Sequence, residues 1–315
     1  MAASANNERW SVRLLAAPRA FRRRWPKCFW TALVLLLCVA ALKLPVVIWV
    51  DRQLEQRADA VYRLTPKQWI PRGFYGDDVQ QNSVRSVRAA FERGAHGVEV
   101  DFHYDPDRDR FVVTHDNPRI DEQGRRQFDL IDGRELTLEE LMQETAKDRY
   151  FWWDFKNLGY LNSEETARAI AQLERIGAIH GVKERAYIEG SDPIRLARYK
   201  RAGFHTLLAF QPLDERWPGS SLALDLAKLL VWSGPLDGIA IRYRETDLAD
   251  LGPTTLESLR HVPLFVFHVP PKRELVEKLV ALPQVRVILV GRGISVDLLE
   301  VEGLPPRREG KDTGP

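Results

Sequence analysis

The stretch Gly97-Val98-Glu99-Val100-Asp101-Phe102 decides how this 315-residue chain folds. It is an apolar run in which two carboxylates stand one residue apart. Because the side chains of a β-strand alternate between two faces, Glu99, Asp101 and His103 share one face and the apolar residues share the other. The stretch therefore predicts a strand with acidic side chains on one face.

A second strand of this kind is predicted at residues 151–156, which read Phe-Trp-Trp-Asp-Phe-Lys, so that Asp154 and Lys156 share a face. Buried carboxylates are costly unless they are paired or bound to a cation. Several of them converging on one point indicate a divalent metal held by oxygen ligands. The alternative is structural pairing, of Asp154 with Lys156 and of Glu99 with an arginine.

Strand-like runs alternate with helix-like segments over most of the chain. The eight runs cover residues 68–72, 97–103, 150–156, 186–189, 205–210, 238–243, 264–269 and 285–290. The helical segments cover residues 83–93, 138–145, 163–176, 193–202, 222–230, 254–260 and 272–282. This alternation predicts parallel βα units, and eight of them predict an α/β fold of the (β/α)8 barrel type over residues 66–303.

One further apolar run, residues 111–115, follows the second strand after the turn Asp105-Pro106-Asp107. A parallel neighbour needs a crossover of about a dozen residues, which this spacing does not provide. We therefore expect an extra β-hairpin after the second strand, overhanging the barrel mouth.

The N-terminal region predicts a membrane anchor. Residues 1–27 form a basic, cytoplasmic segment, residues 28–50 are almost wholly apolar, and residues 51–65 form a charged juxtamembrane helix or linker. Twenty-three apolar residues are enough to cross a bilayer as a helix, and the preceding positive charges favour a single-pass protein with the barrel outside the cytoplasm. A cleaved signal peptide is the alternative. Residues 304–315 are predicted to be a disordered tail.

Composition excludes some functions. The 46 basic and 44 acidic residues nearly cancel, which gives no indication of a nucleic-acid partner. The only two cysteines, Cys28 and Cys38, lie in the apolar segment, so the barrel has no disulfide, no thiol nucleophile and no cysteine-based zinc site.

Barrel enzymes carry their active sites at the carboxyl ends of the strands. The polar residues predicted there, with His115-Asp116 from the hairpin, are Arg72, Glu99, Asp101, His103, Asp154, Lys156, Glu189, Arg242, Arg244, His268 and Arg292. Carboxylates beside lysine and arginine predict a metal site next to an anion site. Phosphoryl chemistry needs this pairing because the charge that develops on phosphate oxygens must be neutralised.

At this point the sequence resembles the glycerophosphodiester phosphodiesterase family, within the phospholipase-C-like phosphodiesterase barrels. Five blocks between residues 70 and 141 carry the resemblance: Pro71-Arg72-Gly73, Gln81-Asn82-Ser83, Gly94-Ala95-His96-Gly97-Val98-Glu99-Val100-Asp101, Val112-Val113-Thr114-His115-Asp116 and Leu136-Thr137-Leu138-Glu139-Glu140-Leu141. The later Asp154-Phe155-Lys156 resembles the family's acidic-x-Lys strand. Beyond residue 192 only the order of strands matches.

The resemblance implies roles for particular residues. Glu99, Asp101 and Asp154 would bind Mg²⁺ or Ca²⁺, with the Gln81 carbonyl oxygen as a further ligand, and Lys156 and Arg72 would hold the phosphate. His115 would be one of two histidines that exchange protons with the attacking and leaving oxygens. Three further residues near the mouth are candidate substrate contacts: His103, His268 and Arg242.

Two positions depart from the family pattern. Pro71 stands where the family has the partner histidine, and a proline side chain cannot carry a proton. Gln81 stands where the family has a glutamate, so one negative charge is missing. A missing acid or base costs about 10²–10⁴ in rate. His103 or His268, or less plausibly Tyr75, is a candidate replacement.

Three functions compete on this sequence. The first is a membrane-anchored, metal-dependent hydrolase of a glycerophosphodiester or a phospholipid headgroup. The second is a catalytically silent barrel that only binds a phosphate or lipid, with Pro71 and Gln81 marking lost chemistry. The third is a metal-free hydrolase in which Glu99 and Asp101 act as acid and base, although paired carboxyls in glycosidases stand about 5 Å or more apart.

Overall fold

The computed structural model describes residues 27–57, 59–64, 67–211, 217, 219–243 and 252–291. Residues 1–26 of the predicted basic segment, the predicted tail at 304–315, Arg244 and Arg292 lie outside these described residues. The chain divides into two compact units, Met1–Trp49 and Val50–Pro315.

Eight parallel strands of the second unit form a closed barrel, which confirms the predicted fold class. The strands of the described chain are β1 (Gln68–Pro71), β2 (Gly97–Asp105), β3 (Arg110–Val113), β4 (Arg119–Ile120), β5 (Arg126–Gln127), β6 (Tyr150–Phe155), β7 (Ala186–Gly190), β8 (His205–Phe210), β9 (Gly238–Arg242), β10 (Leu264–Val269) and β11 (Val285–Val290). Strand β1 pairs with β11 on one side and β2 on the other, so the sheet has no edge in the barrel.

The predicted hairpin is also present. Strand β3 runs antiparallel to the end of β2, with Phe102 opposite Val113 and Asp105 opposite Arg110. A second antiparallel ribbon, β4 with β5, follows it. Each of its strands has two residues, which is too short for a periodic pattern to reveal.

Helix α1 (Lys27–Glu55) precedes the barrel, and seven further helices lie between its strands, several of them with a side-chain cap. The seven are α2 (Val84–Glu92), α3 (Leu138–Thr145), α4 (Ser163–His180), α5 (Pro193–Arg201), α6 (Ser220–Trp232), α7 (Pro253–Ser258) and α8 (Arg273–Ala281). Thr137 and Asn162 each form a capping box, at α3 and α4, and Asp192 accepts from two backbone N–H groups at the start of α5. All seven helices predicted between strands are found.

The period-two pattern of the strands separates two layers of core. Side chains pointing into the barrel form one cluster together with Val61 and Leu64, which precede β1. Seven strands contribute to it: Trp69, Trp152, Tyr187, Leu207, Ala240, Phe265, and Val287 with Leu289 from β11. At the eighth strand, β2, Gly97 leaves the space that the Trp69 ring fills, since a Cβ there would lie 2.4 Å from that ring. Val98, Val100 and Phe102 face the surrounding helices, as predicted.

Helix α1 covers the predicted anchor at residues 28–50 and continues to Glu55. Among the described residues, no helix combines the length and apolar character that crossing a bilayer requires. The transmembrane helix predicted for this region is therefore not found.

The segment predicted as a linker, residues 51–65, belongs to the compact unit of the barrel. Val50 and Leu54 are buried in the core cluster. The buried Asp51 carboxylate lies 2.7 Å from Nζ of Lys228 on α6, whose side chain is 2% exposed. Arg57 donates to the carbonyl oxygen of Val231 at 2.8 Å, at the end of the same helix. The compact unit that contains the barrel begins at Val50.

The Asp51–Lys228 pair gives a prediction about stability. The Asp51→Asn variant should lose about 3–5 kcal/mol of unfolding free energy, because it leaves the Lys228 ammonium buried without its counter-ion. The double variant Asp51→Leu/Lys228→Met should recover most of that loss. Urea denaturation of the three proteins measures the difference, and a single-variant loss below about 1 kcal/mol would show that the pair is effectively solvated.

Candidate active site

Three carboxylates meet at the carboxyl ends of β2 and β6. One oxygen each from Glu99, Asp101 and Asp154 lies within 4.8 Å of the other two. The register explains this, because Asp101 is the direct neighbour of Asp154 across the parallel pair. The predicted convergence of acids from two strands is therefore found.

Two cations partly neutralise this cluster. Lys156 Nζ lies 2.6 Å from one oxygen of Asp101 and also contacts the Asp154 carboxylate. Arg72 Nε lies 2.9 Å from the other oxygen of Asp101. Burial alone would raise the pKa of Asp101, but the nearby Lys156 and Arg72 charges lower it to about 2. Asp101 is therefore the ionised centre of the site.

Glu99 is also buried, at 6% exposure, but its negative charge is neutralised much less than that of Asp101. Among the described residues, no cationic side chain lies within 4 Å of its carboxylate, which accepts a hydrogen bond of 3.1 Å from the Arg72 backbone N–H. Burial, followed by the charges of Asp101 and Asp154, raises the pKa of Glu99 well above its ordinary value. A bound divalent cation would offset the free-energy cost of burying this charged carboxylate.

A tight turn after β1 directs Arg72 toward the acids. Arg72 and Gly73 both have positive φ, 55° and 78°. A Cβ on Gly73 would lie 2.5 Å from the Ser86 backbone, so only glycine fits. The resulting geometry lets Arg72 contact Asp101 and also donate to the Gln81 carbonyl oxygen at 3.0 Å. The Gln81 side chain is thus held by Arg72, and its role as a metal ligand stays a prediction.

Asn82 is a site residue for which no role was predicted from the sequence. Its amide nitrogen donates to Asp101 at 2.8 Å, and its carbonyl oxygen accepts from the Asp101 backbone N–H at 3.2 Å. Asn82 has a φ of 60°, a left-handed conformation that asparagine tolerates better than most residues. Its position inside the matched Gln-Asn-Ser block could have indicated a role at the site from the sequence.

Two substitutions of Asn82 separate the contribution of its side-chain hydrogen bonds from that of its left-handed backbone conformation. Asn82→Gly and Asn82→Ala both remove the two hydrogen bonds to Asp101, so each should lower stability by about 1–3 kcal/mol. Asn82→Ala should cost about 1 kcal/mol more, because alanine adopts positive φ with strain. Thermal and urea unfolding measure both, and equal losses would contradict the strain argument.

The acids open onto a cavity of about 160 Å³ at the barrel mouth. It is lined by Pro71, Arg72, Tyr75, Glu99, His115, Trp152, Asp154, Lys156, Glu189, Phe267, His268, Leu289 and Gly291. The cavity therefore brings together most of the predicted metal, phosphate and proton-transfer residues. Pro71 lies in the cavity wall, so the site itself lacks the histidine that the family pattern has at this position.

His115 is placed for proton transfer. Its side chain is 40% exposed, and its Nδ1 lies 2.7 Å from the Asp116 carboxylate. Because a carboxylate accepts hydrogen bonds, Nδ1 carries the proton and Nε2 is the nitrogen left for exchange.

Two predicted substrate contacts are not in the cavity wall. His103 is 1% exposed beneath the hairpin, near Phe128, and burial lowers its pKa to about 4. His103 lies in the part of β2 that pairs with β3 and does not line the cavity, and its role as a substrate contact stays a prediction. Arg242 ends β9 outside the cavity lining. His268 does line it, with a φ of 58°.

Glu189, at the end of β7, adds a fourth carboxylate that was collected from the sequence without a role. It is 7% exposed and accepts a hydrogen bond from the indole N–H of Trp152. Burial, followed by the charge of Asp154, raises the pKa of Glu189 to about 8.

The residues present fit a divalent cation. Glu99, Asp101 and Asp154 supply the carboxylate oxygens that Mg²⁺ and Ca²⁺ prefer, within a span that one ion can bridge. When ionised, the four acids of the site exceed Lys156 and Arg72 by two negative charges, which one divalent ion balances. The observation that favours a bound cation is the burial of Glu99 without a cationic side chain close to its carboxylate.

Comparisons with known proteins bear on the fold. No family model matches the chain, and no curated protein sequence matches it. A glycerophosphodiester phosphodiesterase structure from Parabacteroides distasonis is similar with a TM-score of 0.53 and 18% identity, over 71% of this chain and 92% of that one. A phosphodiesterase structure from Oleispira antarctica, in complex with the product sn-glycerol-3-phosphate, has a TM-score of 0.51 and 14% identity, over 73% and 94%. The chain therefore has the barrel fold of the glycerophosphodiester phosphodiesterase structures.

Proposed function

We propose that this protein is a metal-dependent phosphodiester hydrolase that acts on a glycerophosphodiester or a phospholipid headgroup. The observation that carries the proposal is the cluster of Glu99, Asp101 and Asp154 within 4.8 Å, beside Lys156 and Arg72. All of these residues except the fully buried Asp101 line one cavity. Its fold, shared with glycerophosphodiester phosphodiesterase structures, supports the same reaction class.

Different residues of the chain would bind the metal and the phosphate. Glu99, Asp101 and Asp154 would hold Mg²⁺ or Ca²⁺, which supplies positive charge to the phosphate oxygens when bound. Burial lowers the pKa of Lys156, but the Asp154 and Asp101 charges raise it above its ordinary value, so its ammonium stays charged and can bind a phosphate oxygen. Arg72 lies in the same wall and holds a second oxygen.

His115 is the proton carrier of the proposed reaction. In hydrolysis, water adds to phosphorus and an alcohol leaves, so one proton is removed from the water and one is delivered to the leaving oxygen. Nε2 of His115 serves one of these transfers. Pro71 serves neither, and the second transfer passes through bulk water or His268, which also lines the cavity.

A catalytically silent binding protein is the second candidate, favoured by Pro71 in the cavity wall. In that case the acids, Lys156 and Arg72 would bind a phosphate without turnover. The two candidates differ in whether the wild-type protein shows any metal-dependent cleavage above a variant that lacks the acids.

We also propose that the protein works at a membrane surface, through the apolar residues 28–50 and with its barrel on the outer side. Large apolar side chains in the first unit support this: Phe29, Trp30, Val34, Leu44, Val46, Ile48 and Trp49 are exposed there. Partition of the full chain between soluble and membrane fractions tests it, and recovery in the soluble fraction alone would rule it out.

The deciding experiment measures hydrolysis of glycerophosphodiesters, lysophospholipids and bis-p-nitrophenyl phosphate with Mg²⁺ or Ca²⁺. We expect turnover that a chelator abolishes and that the Glu99→Ala/Asp101→Ala variant lacks. Turnover that is insensitive to chelator would instead favour the metal-free hydrolase. If neither metal gives turnover above the variant, the hydrolase proposal fails and the silent barrel remains.

A further inference from the structure

Helix α6 exposes leucine side chains to solvent where other helices of the barrel expose charged ones. All 13 of its residues are described, and the two that are exposed are Leu222 and Leu226, one turn apart on the same face. On α2, by contrast, the exposed residues are Arg85, Arg88 and Glu92. A surface helix normally has a polar outer face, so the outer face of α6 indicates contact with an apolar partner.

Trp217 extends this apolar face toward the barrel mouth. Its ring fills the space beside Gly219, where a Cβ would collide with it, and its carbonyl oxygen accepts from the Ser220 N–H at 2.9 Å. Trp217 belongs to the connection from the carboxyl end of β8 to the start of α6, which lies at the end of the barrel where the cavity opens. We name Trp217, Leu222 and Leu226 the α6 patch.

The size of the α6 patch bears on the nature of its partner. The three side chains are 55%, 55% and 53% exposed. Because even a large aromatic side chain covers only about 150–250 Å², they offer roughly 400 Å² at most. A stable protein interface buries about 800 Å² on each partner, so the patch is small for a second copy of the chain. Contact with a bilayer has no such minimum, because its strength scales with the apolar area inserted.

The apolar residues 28–49 join the barrel unit beside the same helix. Val50, the next residue, is the first of that unit and is buried in its core. Asp51 forms the buried ion pair with Lys228 of α6, and Arg57 donates to a carbonyl oxygen in the last turn of α6. Residues 28–49 held in a bilayer would therefore tether the barrel by the helix that carries the α6 patch.

We propose that the α6 patch is a second membrane contact, through which the barrel unit lies against the surface of a lipid bilayer. Trp217 suits this position because an indole ring favours the headgroup region, while the two leucines reach the boundary of the acyl chains. The contact would hold the mouth end of α6 at the bilayer surface. This inference rests on the proposed membrane attachment through residues 28–50, and not on the proposed hydrolysis.

The experiment uses the full-length chain with Cys28→Ala and Cys38→Ala, so that one introduced cysteine can carry an environment-sensitive fluorophore. Leu226→Cys puts the fluorophore in the α6 patch. The matched control is Arg85→Cys on α2, because the β1–β2 side of the eight-stranded barrel lies opposite the β8–β9 side. The probes are vesicles of phosphatidylcholine and phosphatidylglycerol, with and without a lipid whose acyl chain carries a nitroxide quencher.

We expect the vesicles to raise the emission of labelled Leu226→Cys by about 2-fold or more, and the nitroxide lipid to quench about half of it, because the fluorophore enters the apolar boundary. Labelled Arg85→Cys should change by less than about a tenth, since it faces water in either case. Adding Leu222→Glu should remove most of the quenching at the Leu226→Cys label, whereas adding Arg88→Gln should leave it unchanged. Thermal midpoints close to that of the wild type show that each variant is folded.

The other outcomes are separable. If the protein sediments with the vesicles but labelled Leu226→Cys is not quenched, the α6 contact is wrong and the membrane attachment stands. If the protein does not sediment with them, both fail. High emission before vesicles are added also overturns the contact: it assigns the α6 patch to a second copy if dilution lowers the emission, and to another segment of the same chain if it does not. None of these measurements depends on turnover, so the hydrolase proposal succeeds or fails independently.

Discussion

Replacing Lys156 by methionine is expected to lower phosphodiester turnover by about 10²–10³-fold, the usual effect of removing one donor that meets developing charge. It should also lower the stability of the metal-free protein by about 3–5 kcal/mol, because the Lys156 ammonium lies 2.6 Å from the fully buried Asp101 and contacts Asp154. The two effects have one cause, since the same charge offsets the repulsion between the acids and binds the phosphate. Steady-state kinetics and thermal unfolding measure them.

The effect of divalent cations on thermal stability provides a second test of the role of Lys156. Without Lys156 the acid cluster gains one more uncompensated negative charge, so Mg²⁺ or Ca²⁺ should raise the thermal midpoint of Lys156→Met by more than that of the wild type. Lys147→Met, at an exposed position after α3, serves as the control and should change neither turnover nor the response to metal. An equal metal response in wild type and Lys156→Met would show that the cation does not bind at this cluster.

The second large effect is expected from restoring the missing proton carrier. Pro71→His should raise turnover by about 10²–10⁴-fold, because it places an imidazole in the cavity wall beside Arg72. Combining it with Gln81→Glu adds the carboxylate that the family pattern has at that position. Initial rates across pH should show a new dependence near the ordinary histidine pKa of about 6.5.

The matched control is Pro71→Asn, which removes the ring and adds a polar side chain without a proton carrier. If Pro71→Asn raises turnover as much as Pro71→His, the gain comes from backbone freedom and not from acid–base chemistry. No change in Pro71→His, in a wild type that is already active, would show that another group carries the second proton. Activity that appears only in the restored variant would identify the natural protein as a silent barrel.

Several features could be predicted because neighbouring residues alone determine them. Alternation with period two defined the barrel strands, and caps such as Thr137 and Asn162 marked the starts of helices. Parallel strands align their carboxyl ends, so the meeting of Asp101 and Asp154 followed from the strand assignment. Pro71 and Gln81 could be recognised as departures once the five blocks were matched.

Other features depend on contacts between distant parts of the chain. The pairing of β2 with β3 buries His103, although its place near the end of an apolar run resembles that of a mouth residue. The start of the folded unit at Val50 depends on Lys228, 177 residues away, which forms a buried ion pair with Asp51. The hydrogen bond from the Arg72 guanidinium to the Gln81 side-chain oxygen depends on the left-handed turn at Arg72.

The sequence by itself determined the barrel, the order of its strands and the three acids that meet beside Lys156. The reason is that the periodicity of a strand depends only on its own residues, and parallel strands align their carboxyl ends. Only the tertiary structure decided which polar side chains have partners. Burial and charge neutralisation depend on every neighbouring strand. Within the described part of the site, Glu99 and Glu189 have no cationic side chain within 4 Å, while Asp101 has two.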